Sequence, residues 1–249
     1  MQKKYWEKVS KNYDEEIFDV FANDAGGLIQ SFVSKYSSPK LTVCDIGCGI
    51  GKWLPLLSPK FKKVYAVDIS EQNIVQAKAA YEQLGNIDFV RMDITAKSGR
   101  KIPPCDVALC VNAILSSSFT NRVTFFKSLG KCVKRGGQLI LVVPSLESAM
   151  YSEFMFTQWN YKDGTLPRIE RTKEVPKQYF NMKQGVVELD NVPTKHFLEE
   201  ELAVWLKNEG FTIGEIQKVN YPWTTEFIKP PKWMKEPYPW DWMLVAKKA

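Results

Sequence analysis

Three aspartates close or follow three apolar runs. Asp45 ends Val43-Cys44-Asp45, Asp68 ends Val64-Tyr65-Ala66-Val67-Asp68, and Asp93 lies just past Asn86-Ile87-Asp88-Phe89-Val90-Arg91. The first run leads through Ile46 straight into Gly47-Cys48-Gly49-Ile50-Gly51-Lys52. Glycine has no Cβ and tolerates positive φ, so such a turn can bring backbone against a bound nucleoside. The spacing is Gly-x-Gly-x-Gly, whereas the dinucleotide fingerprint is Gly-x-Gly-x-x-Gly/Ala, and its last position here is Lys52. A pyrophosphate would sit poorly beside Asp45, and an acid there suits a ligand that carries positive charge. A carboxylate beside a ribose can accept from both hydroxyls in a charge-assisted pair.

Other reactive side chains are fewer. His196, the single histidine, stands in Thr194-Lys195-His196-Phe197 and is read either as a general base or as a capping and packing residue. The five cysteines are odd in number and mostly sit in strand-like contexts (Cys44, Cys105, Cys110), which predicts reduced thiols. Without a Cys-x-x-Cys pair, and with one histidine, no metal site is expected. Trp159, Tyr161, Trp223, Trp233, Tyr238 and Trp240 fall in two segments outside the apolar core pattern. They are read as an acceptor-pocket lid or as a hydrophobic cluster that pins long loops, with Trp159 and Tyr161 the candidate substrate contacts.

The elements that must position these groups alternate. Residues 5–35 carry an amphipathic helical pattern that Gly26-Gly27 should break in two. Strands are expected at 41–46, 64–68, 86–91, 105–111 and 138–143. The helices between them run over Leu54–Leu57, over 71–81 with Ser70 as N-cap, and over a stretch with Val123, Phe126, Leu129 and Val133 on its face. That last helix is predicted to end on Lys134-Arg135 and Gly136. Such alternation is the pattern of a parallel sheet covered on both faces, and its ligands bind at the carboxyl ends of the strands. Residues 146–193 are expected to be irregular or in short helices. A helix over 197–208, with Leu198, Leu202, Trp205 and Leu206 on its apolar face, and strands at 211–219 and 242–246 complete the chain. The fold class predicted is therefore α/β, Rossmann-like, with a mostly parallel seven-stranded sheet, an antiparallel last strand and an N-terminal helical cap. We divide the single domain into a cap (1–36), a cofactor-binding core (41–145), an acceptor-side insertion (146–193) and a C-terminal helix and strand pair (194–249).

The chain has 249 residues, enough for one large domain. No apolar run reaches the roughly 18–20 residues needed to span a bilayer, and the start has no apolar signal region, so a cytoplasmic protein is expected. The net charge of +6 is spread among glutamates rather than gathered in runs, which points away from nucleic acid, and without a long apolar run no membrane partner is expected.

On Asp45-Ile46-Gly47-Cys48-Gly49-Ile50-Gly51, Asp68, Asp93, Cys105-Asp106-Val107-Ala108-Leu109-Cys110-Val111 and Gly136-Gly137, the chain resembles the class I S-adenosylmethionine-dependent methyltransferases of the small-molecule type. The resemblance implies S-adenosylmethionine as cofactor. Asp68 would hold both ribose hydroxyls, Asp93 would meet the adenine amine, and Asp45 would serve the methionine ammonium. Gly47, Cys48, Gly49, Ile69, Ile94 and Val111 would lie against the cofactor, with Tyr13 of the cap over it. Asp93 can also be read as a helix N-cap, Asp45 as a structural strand-end acid and Tyr13 as core packing. Asn112, after the fourth strand, is read either as facing the acceptor or as serving through its backbone only. The sequence Val111-Asn112-Ala113-Ile114 lacks the Asn/Asp-Pro-Pro-Tyr/Trp run of the adenine and glutamine methyltransferases, which lowers those substrates. Methyl transfer to a small-molecule nitrogen or oxygen is therefore expected. RNA or protein methylation, nicotinamide-dependent oxidoreduction and a catalytically silent binding module are the alternatives.

Overall fold

The computed structural model describes residues 3–96, 102–165, 184–189 and 192–249. A seven-stranded sheet is built from β1 (Ser38–Ile46), β2 (Phe61–Asp68), β3 (Ile87–Arg91), β4 (Cys105–Val111), β5 (Val133–Pro144), β8 (Phe211–Asn220) and β9 (Trp240–Lys248). Its order is β3-β2-β1-β4-β5-β9-β8. The pairings from β3 across to β5 are parallel, and β9 runs antiparallel between β5 and β8. A separate antiparallel hairpin joins β6 (Val186–Leu189) to β7 (Val192–Lys195).

Period-two alternation sends neighbouring residues into two cores. Cys44, Ile46, Cys110, Leu139 and Leu141 pack on one face with Phe126, Phe197 and Leu202. Val43, Val64, Ala66, Leu109 and Val142 pack on the other with Ile29, Phe32 and Leu54. The strand order reverses between β1 and β4, so the carboxyl ends of those two strands open a crevice at the switch point.

The N-terminal region is more broken than two helices. It contains α1 (Lys3–Val9), α2 (Tyr13–Glu16), α3 (Val20–Asn23) and α4 (Leu28–Tyr36). Asp19 caps α3 by accepting from Ala22 N, and Asp24 accepts from Leu28 N and Ile29 N at 2.9 Å each, so α4 starts just after the expected break at Gly26-Gly27. The short α5 (Leu54–Leu57) follows β1, and α6 (Glu71–Tyr81) starts on Ser70, whose hydroxyl accepts from Asn73 N.

The helix α7 (Phe119–Cys132) departs from expectation at both its face and its end. Val123 is exposed, while Arg122 is buried and donates to Ser116 O and Ser117 O at 2.8 and 2.9 Å. Val133, Lys134 and Arg135 belong to β5, with Gly136 inside the strand at φ 77° where the register shifts against β4. The basic pair and glycine that resembled a helix terminus thus mark a strand irregularity.

Ser145 accepts from Ser148 N and opens α8 (Leu146–Lys162), a 17-residue helix longer than the irregular or short helical structure expected there. The rest of that insertion, apart from β6 and β7, lies partly outside the described residues. Helix α9 runs Glu199–Asn208, later than expected, because Phe197 is tied into an isolated bridge with Ser145 and Leu198 serves as an exposed N-cap. Trp223 is buried with Met155 and Met234 and donates Nε1 to Lys235 O, which fastens the proline-rich segment to α8. No described helix is long and apolar enough to cross a membrane.

Candidate active site

The glycine turn at the end of β1 adopts positive φ at Gly47 (78°), Gly49 (54°) and Gly51 (90°). Gly47 N and Cys48 N donate to Val67 O of the neighbouring strand at 2.8 and 3.0 Å, and this pulls the turn over the end of β2. A Cβ added at Gly47 would lie 2.5 Å from Cβ of Ala113, the residue that carries β4 out of the sheet. At Gly49 it would run into the Tyr13 ring, 2.7 Å from Cζ. Gly47→Ala combines left-handed strain with this clash and should cost about 2 kcal/mol of stability. An unchanged urea midpoint would show that the turn relaxes freely.

Asp68 is buried and held by the protein on both oxygens. Oδ2 accepts from Gly49 N at 3.0 Å, and Oδ1 accepts from Ser70 N at 2.8 Å and Asn73 Nδ2 at 3.3 Å. Burial raises its pKa while these three donors pull it down. Asp93 accepts from Thr95 N and Thr95 Oγ1 at 2.8 and 2.6 Å, a local turn rather than a helix cap. Asp45 is fully buried, its Oδ2 has no hydrogen-bond partner, and burial followed by the charge of Asp68 pushes its pKa up to about 7.

A cavity of about 1560 Å³ opens over this edge. At one end it is lined by Tyr13, Gly47, Cys48, Asp68, Ile69, Asp93, Ile94 and Val111. Asp45 and Gly49 do not line it; they sit beneath, Asp45 within the strand and Gly49 bonded to Asp68. Tyr13 is half-buried over the turn, and burial together with the charge of Asp68 raises its pKa.

Elsewhere the wall carries Asn112, Ser152, His196, Tyr221, Glu226 and Asp241. Asn112 has a left-handed backbone (φ 47°) and donates Nδ2 to Asp241 Oδ2 at 2.9 Å, and Tyr221 OH donates to the same oxygen at 3.0 Å. Burial pushes Asp241 up to about 6 against those two bonds. His196 is buried, and its Nδ1 lies 3.1 Å from Thr194 O, an atom that can only accept. That bond places the ring hydrogen on Nδ1 and leaves the lone pair on Nε2. Burial, with Lys195 nearby, lowers its pKa. Trp159 and Tyr161, expected as substrate contacts, do not line the cavity. Helical spacing on α8 turns Tyr161 out to solvent, 73 % exposed, and sets Trp159 edge-on against Phe227.

Two groups escaped the sequence reading. Glu7 of α1 accepts from Ser70 Oγ, Glu71 N and Gln72 N, so its carboxylate caps α6 from 63 to 65 residues away and docks the N-terminal helices beside the cavity. Asp241, the second residue of an apolar strand, carried no local signal; one acid inside Trp240-Asp241-Trp242-Met243 was the only hint.

A parallel sheet of this order, with a glycine turn and strand-end acids at its switch point, defines a class I methyltransferase fold. Residues 43–137 match the family model described as a methyltransferase domain. The chain is 26% identical over 228 residues to a tRNA N(3)-methylcytidine methyltransferase of Schizosaccharomyces pombe, covering 88% of this chain and 83% of that one. Among solved structures it resembles an S-adenosylmethionine-dependent methyltransferase from Mesorhizobium loti (TM-score 0.64, 14% identity, 92% of this chain and 100% of that one). It also resembles the N-methyltransferase NodS of Bradyrhizobium japonicum in complex with S-adenosylhomocysteine (TM-score 0.61, 13% identity, 99% and 97% covered). A methyltransferase domain at residues 43–137, set in this fold, supports S-adenosylmethionine-dependent methyl transfer.

Proposed function

We propose that this enzyme methylates a nitrogen or oxygen of a small molecule. One observation carries the reading: a single cavity is lined by the glycine turn and Asp68 and also by the polar groups Asn112, Tyr221, Glu226 and Asp241. Its volume exceeds the roughly 300–1,000 Å³ of an ordinary ligand pocket, which suits a cofactor and an acceptor together.

The residues fit the cofactor. Asp45 offers a buried unpartnered oxygen and a reason to welcome a cation, and Gly47 keeps a side chain out of the crevice. Asp68 is aimed by three donors before any ligand arrives. Lys52 is paired with Asp19 and is not demanded as a phosphate clamp. Bound S-adenosylmethionine supplies an electrophilic methyl group on a sulfonium. This chain's part is to orient the acceptor beside Asn112 and to exclude water, with His196 Nε2 available to take a proton if the acceptor must lose one.

A second reading, methylation of a tRNA base, is favoured by the S. pombe relative. The acids Glu153, Glu188, Glu226 and Asp241 on the cavity wall speak against drawing a polyanion inward. The test supplies radiolabelled methyl donor to a metabolite extract and, separately, to bulk tRNA. Label entering the metabolites alone is expected, and label entering tRNA alone would replace the first reading with the second.

A further inference from the structure

Several buried polar atoms on the cavity wall have no partner among the described residues. Asn112 Oδ1, Ser152 Oγ and Trp240 Nε1 are all in this state, and all three residues line the cavity. They come from three different elements: the turn after β4, the middle of α8 and the start of β9. Ser152 is 7 % exposed and lies beside Glu226 without meeting hydrogen-bond geometry, although it draws down the pKa of that acid. Folded proteins rarely leave buried polar groups unpaired, and a cluster of them on one wall points to a ligand or ordered water.

The chemistry of the wall favours a hydrogen-bond donor that is positively charged. Asp241 is 8 % exposed, and both of its protein bonds fall on Oδ2, so Oδ1 is left to the cavity. With Asn112 Oδ1 this gives two acceptors on side chains that touch each other. Glu226 adds a second carboxylate close enough to raise the pKa of Asp241. Tyr221, Phe227 and Trp240 supply aromatic surface. Of the cations around the cavity, Arg122 donates to Ser116 O and Ser117 O, Lys52 pairs with Asp19, and Lys218 lies over the Trp240 ring at 3.6 Å. A carboxylate or phenolate acceptor would meet uncompensated negative charge, while an amine would find two acceptors and aromatic faces.

We propose that the methyl acceptor is a small amine, with its N–H groups held by Asp241 Oδ1 and Asn112 Oδ1 between the aromatic walls. This rests on the methyl-transfer reading above and deepens it. Asn112 precedes Ala113, whose Cβ packs against Gly47, so the amine would be held next to the glycine turn. The amine releases one proton to water, and its lone pair forms the new nitrogen–carbon bond. The sulfur–carbon pair returns to sulfur, converting the sulfonium to a thioether. Asp241 and Asn112 orient the nucleophile, and Tyr221 holds Asp241 in place.

The experiment titrates spermidine and tyramine calorimetrically into wild type, Asp241→Asn and Tyr221→Phe, each saturated with S-adenosylhomocysteine. Label transfer is followed in parallel with the same amines, with catechol and benzoate, and with bulk tRNA. At least one amine should bind wild type and accept label. Asp241→Asn should weaken that amine roughly 10- to 100-fold, the range expected for a lost charged hydrogen bond, while S-adenosylhomocysteine affinity stays within about twofold. If Asp241→Asn fails to fold, Tyr221→Phe carries the test, with about fivefold weaker amine binding expected for one neutral hydrogen bond. Label in catechol, benzoate or tRNA but in neither amine, amine binding unaffected by the variants, or no amine binding to a protein that binds S-adenosylhomocysteine would each overturn the inference alone. A wild type that does not bind S-adenosylhomocysteine would sink the methyl-transfer reading, and this inference with it.

Discussion

Asp68→Ala is expected to lower S-adenosylhomocysteine affinity by roughly 100-fold or more while leaving the protein folded. Under the proposed reading, this carboxylate receives both ribose hydroxyls. Each charge-assisted hydrogen bond is worth about 1.5–3 kcal/mol, and about 1.4 kcal/mol is a factor of ten in affinity. The side chain also organises its own surroundings: Gly49 N, Ser70 N and Asn73 Nδ2 all converge on it. Alanine therefore removes the acceptor and loosens the turn that frames it, so some loss of thermal stability accompanies the loss of affinity. Asp68→Asn separates the two effects. It can keep one oxygen facing Ser70 N and Asn73 Nδ2, but its amide nitrogen then opposes Gly49 N, two donors face to face. Its stability should fall between wild type and alanine, with affinity still much reduced. Calorimetry beside thermal unfolding reads both quantities. Equal affinity in wild type and Asp68→Ala would remove Asp68 from the cofactor site.

What the chain disclosed before its structure was known follows the range of the interactions involved. The Val43–Gly51 run, the Ser70 cap and the acid after each early strand are local patterns, and each appears where its spacing puts it. The antiparallel last strand also appears as expected. Local signals misled where two elements share one chemistry. Lys134-Arg135-Gly136 reads equally as a helix end or a strand irregularity, and the pairing of Val133 with Cys105 decides for the strand. The aromatic, charged stretch after Pro144 reads as irregular or as short helices, yet Ser145 caps it into the long α8 and Trp223 buries against it from about seventy residues on. The polar wall was the least legible part. Asn112 and Asp241 meet across 129 residues, and Glu7 reaches Ser70 across 63, so no window of sequence contains either pair. Asn112 was singled out for its place after β4, but its partners were not.

Asp45 should make the ligand-free protein less stable as pH rises from about 4 to 7. The ordinary carboxylate value is 3.8, and in the folded protein burial and the neighbouring Asp68 push Asp45 up to about 7. A group whose folded pKa is raised binds its proton more tightly in the native state than in the unfolded chain. Its contribution is fully present below the unfolded value and is lost as pH climbs through the folded one. At about 1.4 kcal/mol per pKa unit, the interval corresponds to a loss of order 4 kcal/mol by pH 8. Asp241, pushed up to about 6, adds a smaller slope of the same sign. Asp45→Asn should therefore match wild type near pH 4, exceed it by several kcal/mol at pH 8, and keep only a reduced slope. Urea unfolding across that range measures it, and parallel curves for the two proteins would refute the assignment. The same proton links stability to ligand binding. A ligand ammonium beside Asp45 favours the ionised carboxylate, so S-adenosylhomocysteine binding near pH 6.5 should release part of a proton. The release appears as a binding enthalpy that changes with the ionisation enthalpy of the buffer, and it should shrink in Asp45→Asn. Under the proposed reading, the acid that weakens the empty fold at neutral pH is the one that favours a bound cation.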